Sequence, residues 1–211
     1  MTLARQLVRL FAKNQLIMKQ DIILCGVGGQ GILSIATIIG WAALKEGIYL
    51  KQAEVHGMSQ RGGDVQSNLR LSDAPISSDL IAHGACDLII SLEPMEALRY
   101  VQYLNPNGWV ITNTTPFVNI PNYPEMEAVN DELKKQGNVI MIDVDAIAKE
   151  VKSPRSANMV LLGAAASVLE MLKPEQLLEG ITNVFASKGE AIVETNIAAF
   201  KAGYEFAQKN K

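Results

Sequence analysis

The chain has 211 residues, of which 48% are hydrophobic, and its formal net charge is −3. This length and apolar content suit one α/β domain with a buried core, and the weak negative charge argues against nucleic acid as a partner. Both cysteines, Cys25 and Cys86, lie in apolar runs without a Cys-x-x-Cys motif or a His/Cys cluster. We therefore interpret them as core residues and expect no metal or iron–sulfur cluster on this chain.

Residues 1–18 are predicted to be an N-terminal extension, and residues 19–211 a single domain. The extension carries Arg5, Arg9 and Lys13 at four-residue intervals with leucines between them, which is typical of a basic amphipathic helix. A peripheral extension and a docking helix both fit this pattern. No stretch contains the roughly 18 unbroken apolar residues of a membrane span, so we expect a cytoplasmic protein without a membrane partner.

The most informative motif joins the first predicted strand, Gln20–Gly26, to the first predicted helix, Gln30–Glu46. Its sequence is GVGGQG, which fits the G-x-G-x-x-G pattern of anion-binding strand–turn–helix units. Such a helix begins with unpaired amide groups and a partial positive charge. The resulting candidate binding residues are Gly26, Gly28, Gly29, Gln30 and Gly31. The alternative is a tight strand–helix turn that binds nothing.

A second polar motif follows the second predicted strand, Ile48–Val55. Residues 56–63 read HGMSQRGG. A guanidinium in such a loop can hold a carboxylate or a phosphate with two hydrogen bonds, and an imidazole can titrate near neutral pH. The alternative is a solvated loop. The candidate binding residues of this loop are His56, Met58, Ser59, Gln60 and Arg61.

Residues 64–72 alternate between apolar and polar side chains, which predicts a strand with one polar face. That face carries Gln66, Asn68 and Arg70, and we expect it at a sheet edge or in a subunit contact. Together with the 56–63 loop it forms our candidate contact region.

The remaining elements are predicted from apolar periodicity and from turn residues. Small residues within 158–172 allow another helix to lie close. Asp143 and Asp145 could hydrogen-bond a ligand, but we favour a role for Asp145 as a helix cap. The predicted elements are strands over 86–92, 109–113 and 139–144, a helix over 93–104, a turn at 105–108, a mostly irregular loop over 114–130 and helices within 153–211.

Because strands alternate with helices, we predict an α/β fold with a mostly parallel, doubly wound, Rossmann-like sheet and a C-terminal helical segment. Ligands of such sheets bind beyond the carboxyl ends of the strands. The 26–31 turn and the 56–63 loop both follow strands, so they are expected to meet at one edge of the fold.

Five segments, in this order, resemble the gamma-type subunits of 2-oxoacid:ferredoxin oxidoreductases. The resemblance spans about residues 19–207, and the loop HGMSQRGG is most similar to the small beta subunits of the indolepyruvate enzymes. The subunits of the pyruvate, 2-oxoisovalerate and 2-oxoglutarate enzymes are the alternatives within the family. The segments are 26–31, 54–63, 91–99, 157–163 and 196–203.

The resemblance implies a part in the oxidative decarboxylation of a 2-oxoacid to an acyl-CoA and CO2, with electrons passed to ferredoxin. It implies that thiamine diphosphate, Mg²⁺ and iron–sulfur clusters are bound by a large partner subunit, since the corresponding motifs are missing from this chain. The other expected partners are ferredoxin, CoA and the 2-oxoacid.

Three other interpretations stay open at this point. A NAD-dependent dehydrogenase fits the glycine pattern, although Glu46 and Glu54 are poorly placed for the acidic residue expected about 20 positions after the turn. A nucleotide-binding regulatory module and a purely structural subunit are also compatible with the sequence.

Overall fold

The computed structural model describes residues 17–56, 62–118 and 120–211. The predicted amphipathic helix of the extension lies outside the described residues, apart from Ile17. The loop residues Met58, Ser59, Gln60 and Arg61 lie outside them as well.

The described part of the chain forms six strands and seven α-helices. The strands are β1 (Lys19–Val27), β2 (Tyr49–His56), β3 (Asp64–Ser72), β4 (Cys86–Ser91), β5 (Leu104–Asn113) and β6 (Asn138–Ile142). The helices are α1 (Ile32–Lys45), α2 (Pro94–Tyr100), α3 (Met126–Lys134), α4 (Val144–Glu150), α5 (Ala157–Ala166), α6 (Pro174–Phe185) and α7 (Glu190–Asn210).

The strands form one sheet in the order β2-β3-β1-β4-β5-β6. Strands β1, β4, β5 and β6 pair in parallel, whereas β3 is antiparallel to both β1 and β2. The prediction of a mostly parallel sheet is therefore confirmed. The prediction of an edge position for 64–72 is wrong, because β3 returns as a hairpin and inserts between β2 and β1.

Helices cover both faces of the sheet, so β1 is apolar on both sides. Ile22 and Leu24 belong to the hydrophobic cluster that includes residues of α1, α5, α6 and α7, while Ile23 and Cys25 belong to the cluster that includes residues of α2 and α3. Cys25 and Cys86 are fully buried, as predicted for core residues. Burial raises the pKa of both thiols, that of Cys86 to about 12, so both stay protonated and unreactive at neutral pH.

Arg70, on the polar side of β3, forms hydrogen bonds within the chain. The Arg70 guanidinium donates to both carboxylate oxygens of Asp21, at 2.7 and 3.0 Å, and to the carbonyls of Ser78 and Leu80. Burial opposes ionisation of Asp21, but the hydrogen bonds from Arg70 and Lys19 outweigh it and lower the pKa of Asp21. Arg70 therefore stabilises a buried carboxylate.

Helix α3 and the start of α4 differ from the sequence prediction. The predicted loop over 114–130 ends inside α3, whose buried residues Val129 and Leu133 are one helical turn apart. The cap of α4 is Asp143, which accepts a hydrogen bond from the Ala146 amide at 2.9 Å. The preference for Asp145 as a cap was wrong, because that residue lies in the first turn of the helix.

Earlier in the chain, the predicted helix 93–104 ends at Tyr100 and is followed by a 3₁₀ turn, Val101–Tyr103. The predicted turn at 105–108 lies within β5, opposite the register irregularity between Cys86 and Leu88.

Helices α5 and α7 cross at backbone contact, as the small residues of 158–172 predicted. A Cβ added at Gly163 would lie 1.9 Å from the Phe200 carbonyl oxygen, and one added at Gly203 would lie 1.9 Å from the Val160 carbonyl oxygen. Each helix therefore needs a glycine where its partner's backbone passes.

We expect Gly163→Ala to lower the free energy of unfolding by about 3 kcal/mol, because the two helices must separate. Urea denaturation of the purified chain measures this. Gly40→Ala is the matched control, since its Cβ would meet only the flexible Leu50 side chain, at 3.2 Å; it should change stability by less than about 1 kcal/mol. Equal stability of the two variants would contradict the close crossing.

Candidate functional site

The glycine turn lies at the carboxyl end of β1 and leads into α1. Gly31 is the N-cap of α1 and has φ +88°, in the left-handed region. Its carbonyl accepts a hydrogen bond from Asn158 Nδ2 at 3.2 Å, and an added Cβ would lie only 2.6 Å from the same nitrogen. Glycine is therefore required here both by backbone conformation and by the close approach of α5.

Gln30 holds the turn against the neighbouring strand. Its Oε1 accepts a hydrogen bond from the Val27 amide at 2.7 Å, and its Nε2 donates to the Leu92 carbonyl at 3.1 Å. The Leu92 amide donates in turn to the Cys25 carbonyl at 3.1 Å. Gln30, predicted as a ligand-binding residue, thus joins the carboxyl ends of β1 and β4.

The glycine turn and the second loop are hydrogen-bonded to each other. The Gly28 amide donates to the Gly63 carbonyl at 2.8 Å, and the Gly62 amide donates to the Gly28 carbonyl at 3.3 Å. The group that lies close to Gly28 is therefore the backbone of Gly62 and Gly63. His56 is the last residue of β2 and pairs with Val65, so the 56–63 segment begins at the same edge.

A cavity of about 380 Å³ opens beside the turn, lined by Gly28, Gly29, Glu54 and the start of α1. The amides of Gly29, Gly31 and the first two residues of α1 donate to no acceptor in the described part of the chain. Free amides at a helix start favour an anion, while the Glu54 carboxylate can accept a hydrogen bond from a hydroxyl group. The cavity can thus hold a ligand with a phosphate and a hydroxyl.

A second network, which sequence reasoning missed, fixes the neighbouring loop. The buried carboxylate of Glu93 accepts hydrogen bonds from the Glu96 amide at 2.8 Å, the Phe117 amide at 3.4 Å and the Tyr123 hydroxyl. Burial and the hydrogen bond to Glu93 raise the pKa of Tyr123, so its phenol stays protonated. The signal was a glutamate directly before Pro94 at the helix start.

Asn113, at the end of β5, closes this network. Its Oδ1 accepts from the amides of Thr115 and Val144, each at 3.3 Å, and its Nδ2 donates to the Thr115 carbonyl at 3.2 Å. A smaller cavity of about 230 Å³ lies between Gln30, Asn113, Phe117 and Asp145. The carboxyl ends of β1, β4, β5 and β6 are thereby linked along one crevice.

Neither a metal site nor a membrane span is found in the described residues. No three His, Cys, Asp or Glu side chains among them are grouped to hold a metal ion. No helix in this part of the chain is long and apolar enough to cross a membrane.

Comparison with known proteins gives consistent matches over most of the chain. Residues 21–206 match the family model for pyruvate ferredoxin/flavodoxin oxidoreductase. The indolepyruvate oxidoreductase subunit IorB of Archaeoglobus fulgidus is 37% identical over 198 residues, which cover 90% of this chain and 96% of that protein. The pyruvate/ketoisovalerate oxidoreductases common subunit gamma of Thermococcus kodakarensis is 30% identical over 182 residues, covering 85% of this chain and 92% of that one.

A solved structure shows the same architecture. The gamma subunit of a keto/oxoacid ferredoxin oxidoreductase from Geobacter sulfurreducens PCA superposes with a TM-score of 0.69. It is 25% identical, and the match covers 91% of this chain and 98% of that one.

We expect Gly31→Ala to be more destabilising than Gly29→Ala. Both residues have positive φ, but a Cβ at Gly29 meets nothing within 4 Å, whereas one at Gly31 meets Asn158. Each substitution should cost about 1 kcal/mol for the backbone conformation, and Gly31→Ala about 1–2 kcal/mol more for the clash. Urea denaturation of Gly31→Ala, Asn158→Ala and the double variant measures the coupling free energy between the two positions. Strictly additive losses would contradict the contact.

Proposed function

The chain belongs to the pyruvate ferredoxin/flavodoxin oxidoreductase family, and on that premise we propose that it is the small subunit of an indolepyruvate:ferredoxin oxidoreductase. The holoenzyme would convert an arylpyruvate to an acyl-CoA and CO2 and pass the electrons to ferredoxin. The observation that carries this choice is the 37% identity to the indolepyruvate subunit over nearly both whole chains, against 30% to the pyruvate/ketoisovalerate subunit.

The proposed division of labour assigns the cofactor chemistry to the large subunit. Thiamine diphosphate, Mg²⁺ and the iron–sulfur clusters would be bound there, and this chain would supply binding and orientation. The buried cysteines support this division, because a protonated thiol enclosed in the core is a poor cluster ligand.

We place the contact with the large subunit, and the entrance for substrate, CoA or electron acceptor, at the carboxyl edge of the sheet. Two observations support this placement: the turn is hydrogen-bonded to Gly62 and Gly63, and the free amides of α1 line the adjoining cavity. The proposed contact residues are Gly26, Gly28, Gly29, Gln30, Gly31, His56, Met58, Ser59, Gln60 and Arg61.

A nucleotide-binding module or a NAD-dependent dehydrogenase is the second candidate. It is favoured by the position of Glu54, which lines the same cavity as the glycine turn and can accept from ribose hydroxyls. Calorimetric titration with NAD⁺ and with NADP⁺ tests it directly: saturable binding at micromolar ligand would favour this candidate.

The decisive experiment is co-expression with the large-subunit gene, followed by purification on a tag carried by this chain. We expect a stable complex that reduces a low-potential viologen dye with indolepyruvate and CoA, and that prefers indolepyruvate over pyruvate, 2-oxoisovalerate and 2-oxoglutarate. The large subunit expressed alone is the control and should be inactive. A preference for another 2-oxoacid would reassign the substrate, and a chain that neither binds the large subunit nor changes its activity would contradict the proposal.

A further inference from the structure

A third cavity lies on the face of the sheet that is covered by α1, α5, α6 and α7, and Asn158 is one of the residues that line it. It measures about 540 Å³ and lies between the segment that precedes α5 and the start of α7. Ser34 of α1 forms one wall. No element of the proposed function uses this cavity.

Three cations surround the cavity: Lys152, Arg155 and Lys188. None of them has a carboxylate within salt-bridge distance in the described part of the chain, and no acidic residue is among the described residues that line the cavity. The Lys188 ammonium lies 5.0 Å from the centroid of the Phe185 ring, which also lines the cavity. Three positive charges without an ion-pair partner around one cavity, in a chain whose net charge is −3, favour an anionic ligand.

Two buried hydroxyl groups add an unused donor. Ser153 and Ser156 both line the cavity and are 6% and 4% exposed. Their hydroxyls are 2.6 Å apart and share one hydrogen bond. Because each hydroxyl carries one hydrogen and the pair uses one of them, the other has no acceptor among the described residues. That hydroxyl can donate to an acceptor bound in the cavity.

The start of α5 supplies further donors. Ser156 is the N-cap, but its side chain bonds to Ser153 and not to the helix. The amides of Ala157 and Asn158 have no acceptor in the described part of the chain, whereas those of Met159 and Val160 donate to the Ser156 carbonyl. Of the first two residues, Asn158 lines this cavity, and Ala157 lines the smaller cavity beside Asn113. Free amides at the start of a helix of this length bind anions, and phosphate oxygens above all.

The backbone conformation at Lys152 places one of the three cations beside the cavity. Lys152 follows α4 with φ +57°, the only non-glycine residue with positive φ among those described. Its amide donates to the Lys149 carbonyl and that of Ser153 to the Ala148 carbonyl, at 2.9 and 2.8 Å. This is a Schellman helix end, in which the position of Lys152 usually holds glycine.

We infer that this cavity is a binding site for a phosphate group, held by Lys152, Arg155 and Lys188, the Ser153–Ser156 hydroxyl pair and the free amide of Asn158. Arg155 can bond two phosphate oxygens at once, and the two lysines supply point charges. The inference goes beyond the proposed function and does not depend on it, since it rests on the charges and donors of this chain alone.

The test is a ¹⁵N–¹H NMR titration of the full chain with inorganic phosphate at constant ionic strength. We expect a saturable shift of the Asn158 amide signal. Arg155→Gln and Lys152→Gly should each weaken binding about tenfold or more, as the loss of one charge-assisted contact implies. Lys152→Gly also relieves the left-handed backbone, so a folded variant is expected.

Lys201→Gln is the matched control, because Lys201 is an exposed lysine of α7 that does not line the cavity; its affinity for phosphate should be unchanged. An AMP titration separates the sources of the phosphate: tighter binding of AMP assigns a phosphoester ligand, and equal binding assigns the free ion. Absence of a saturable shift at Asn158, equal binding of acetate, or unchanged affinity in both cavity variants would overturn the inference.

Discussion

The side-chain amide of Gln30 bonds at once to the end of β1 and to the residue that follows β4, and the geometry of the carboxyl edge depends on this bridge. It holds the Val27 amide and the Leu92 carbonyl at hydrogen-bond distance. Asn113 continues the link from β5 to the start of α4. These bonds satisfy backbone groups where four strands end and so fix the relative positions of the strand ends.

The bridge also explains why the turn must be glycine-rich. With Gln30 fixed, an added Cβ at Gly26 would lie 2.8 Å from its Oε1, so glycine is needed at that position. The amide and carbonyl of Gly28 are paired with Gly63 and Gly62 at the end of the second loop. The motif therefore brings two loops together in addition to freeing amides at the start of α1. The loop with the distinctive HGMSQRGG sequence starts from a rigid base, which suits a surface for recognising a partner.

The sequence predicted well whatever depends on local periodicity or on small residues. The first strand, β1, and the small residues of 158–172 that let α7 lie against α5 are found where expected. It predicted poorly what depends on distant partners. The alternation of β3 indicated a polar face, but only the fold reveals that Asp21 is the partner of Arg70.

The same limit applies to the candidate site. The prediction that Gln30 lies beside a ligand stays a prediction, and its hydrogen bond to Leu92, 62 residues away in sequence, could not be read from the motif. The roles of Glu93 and Asn113 arise from hydrogen bonds to the 115–123 segment and to α4, and no local pattern encodes those contacts. Helix α3 follows three prolines within ten residues, and these obscured the short apolar stripe of Val129 and Leu133.

The central claim is that the carboxyl edge of the sheet contacts the large subunit. Hydrogen–deuterium exchange of this chain, alone and in the co-purified complex, measures which surface makes that contact. The account predicts slower exchange in the complex at the glycine turn and the start of α1, residues 26–34, and around the second loop, residues 54–66. The exchange rates of the α6 amides should be the same in the complex as in the isolated chain. Protection confined to α6 and α7, with the carboxyl edge exchanging as it does in the isolated chain, would contradict it.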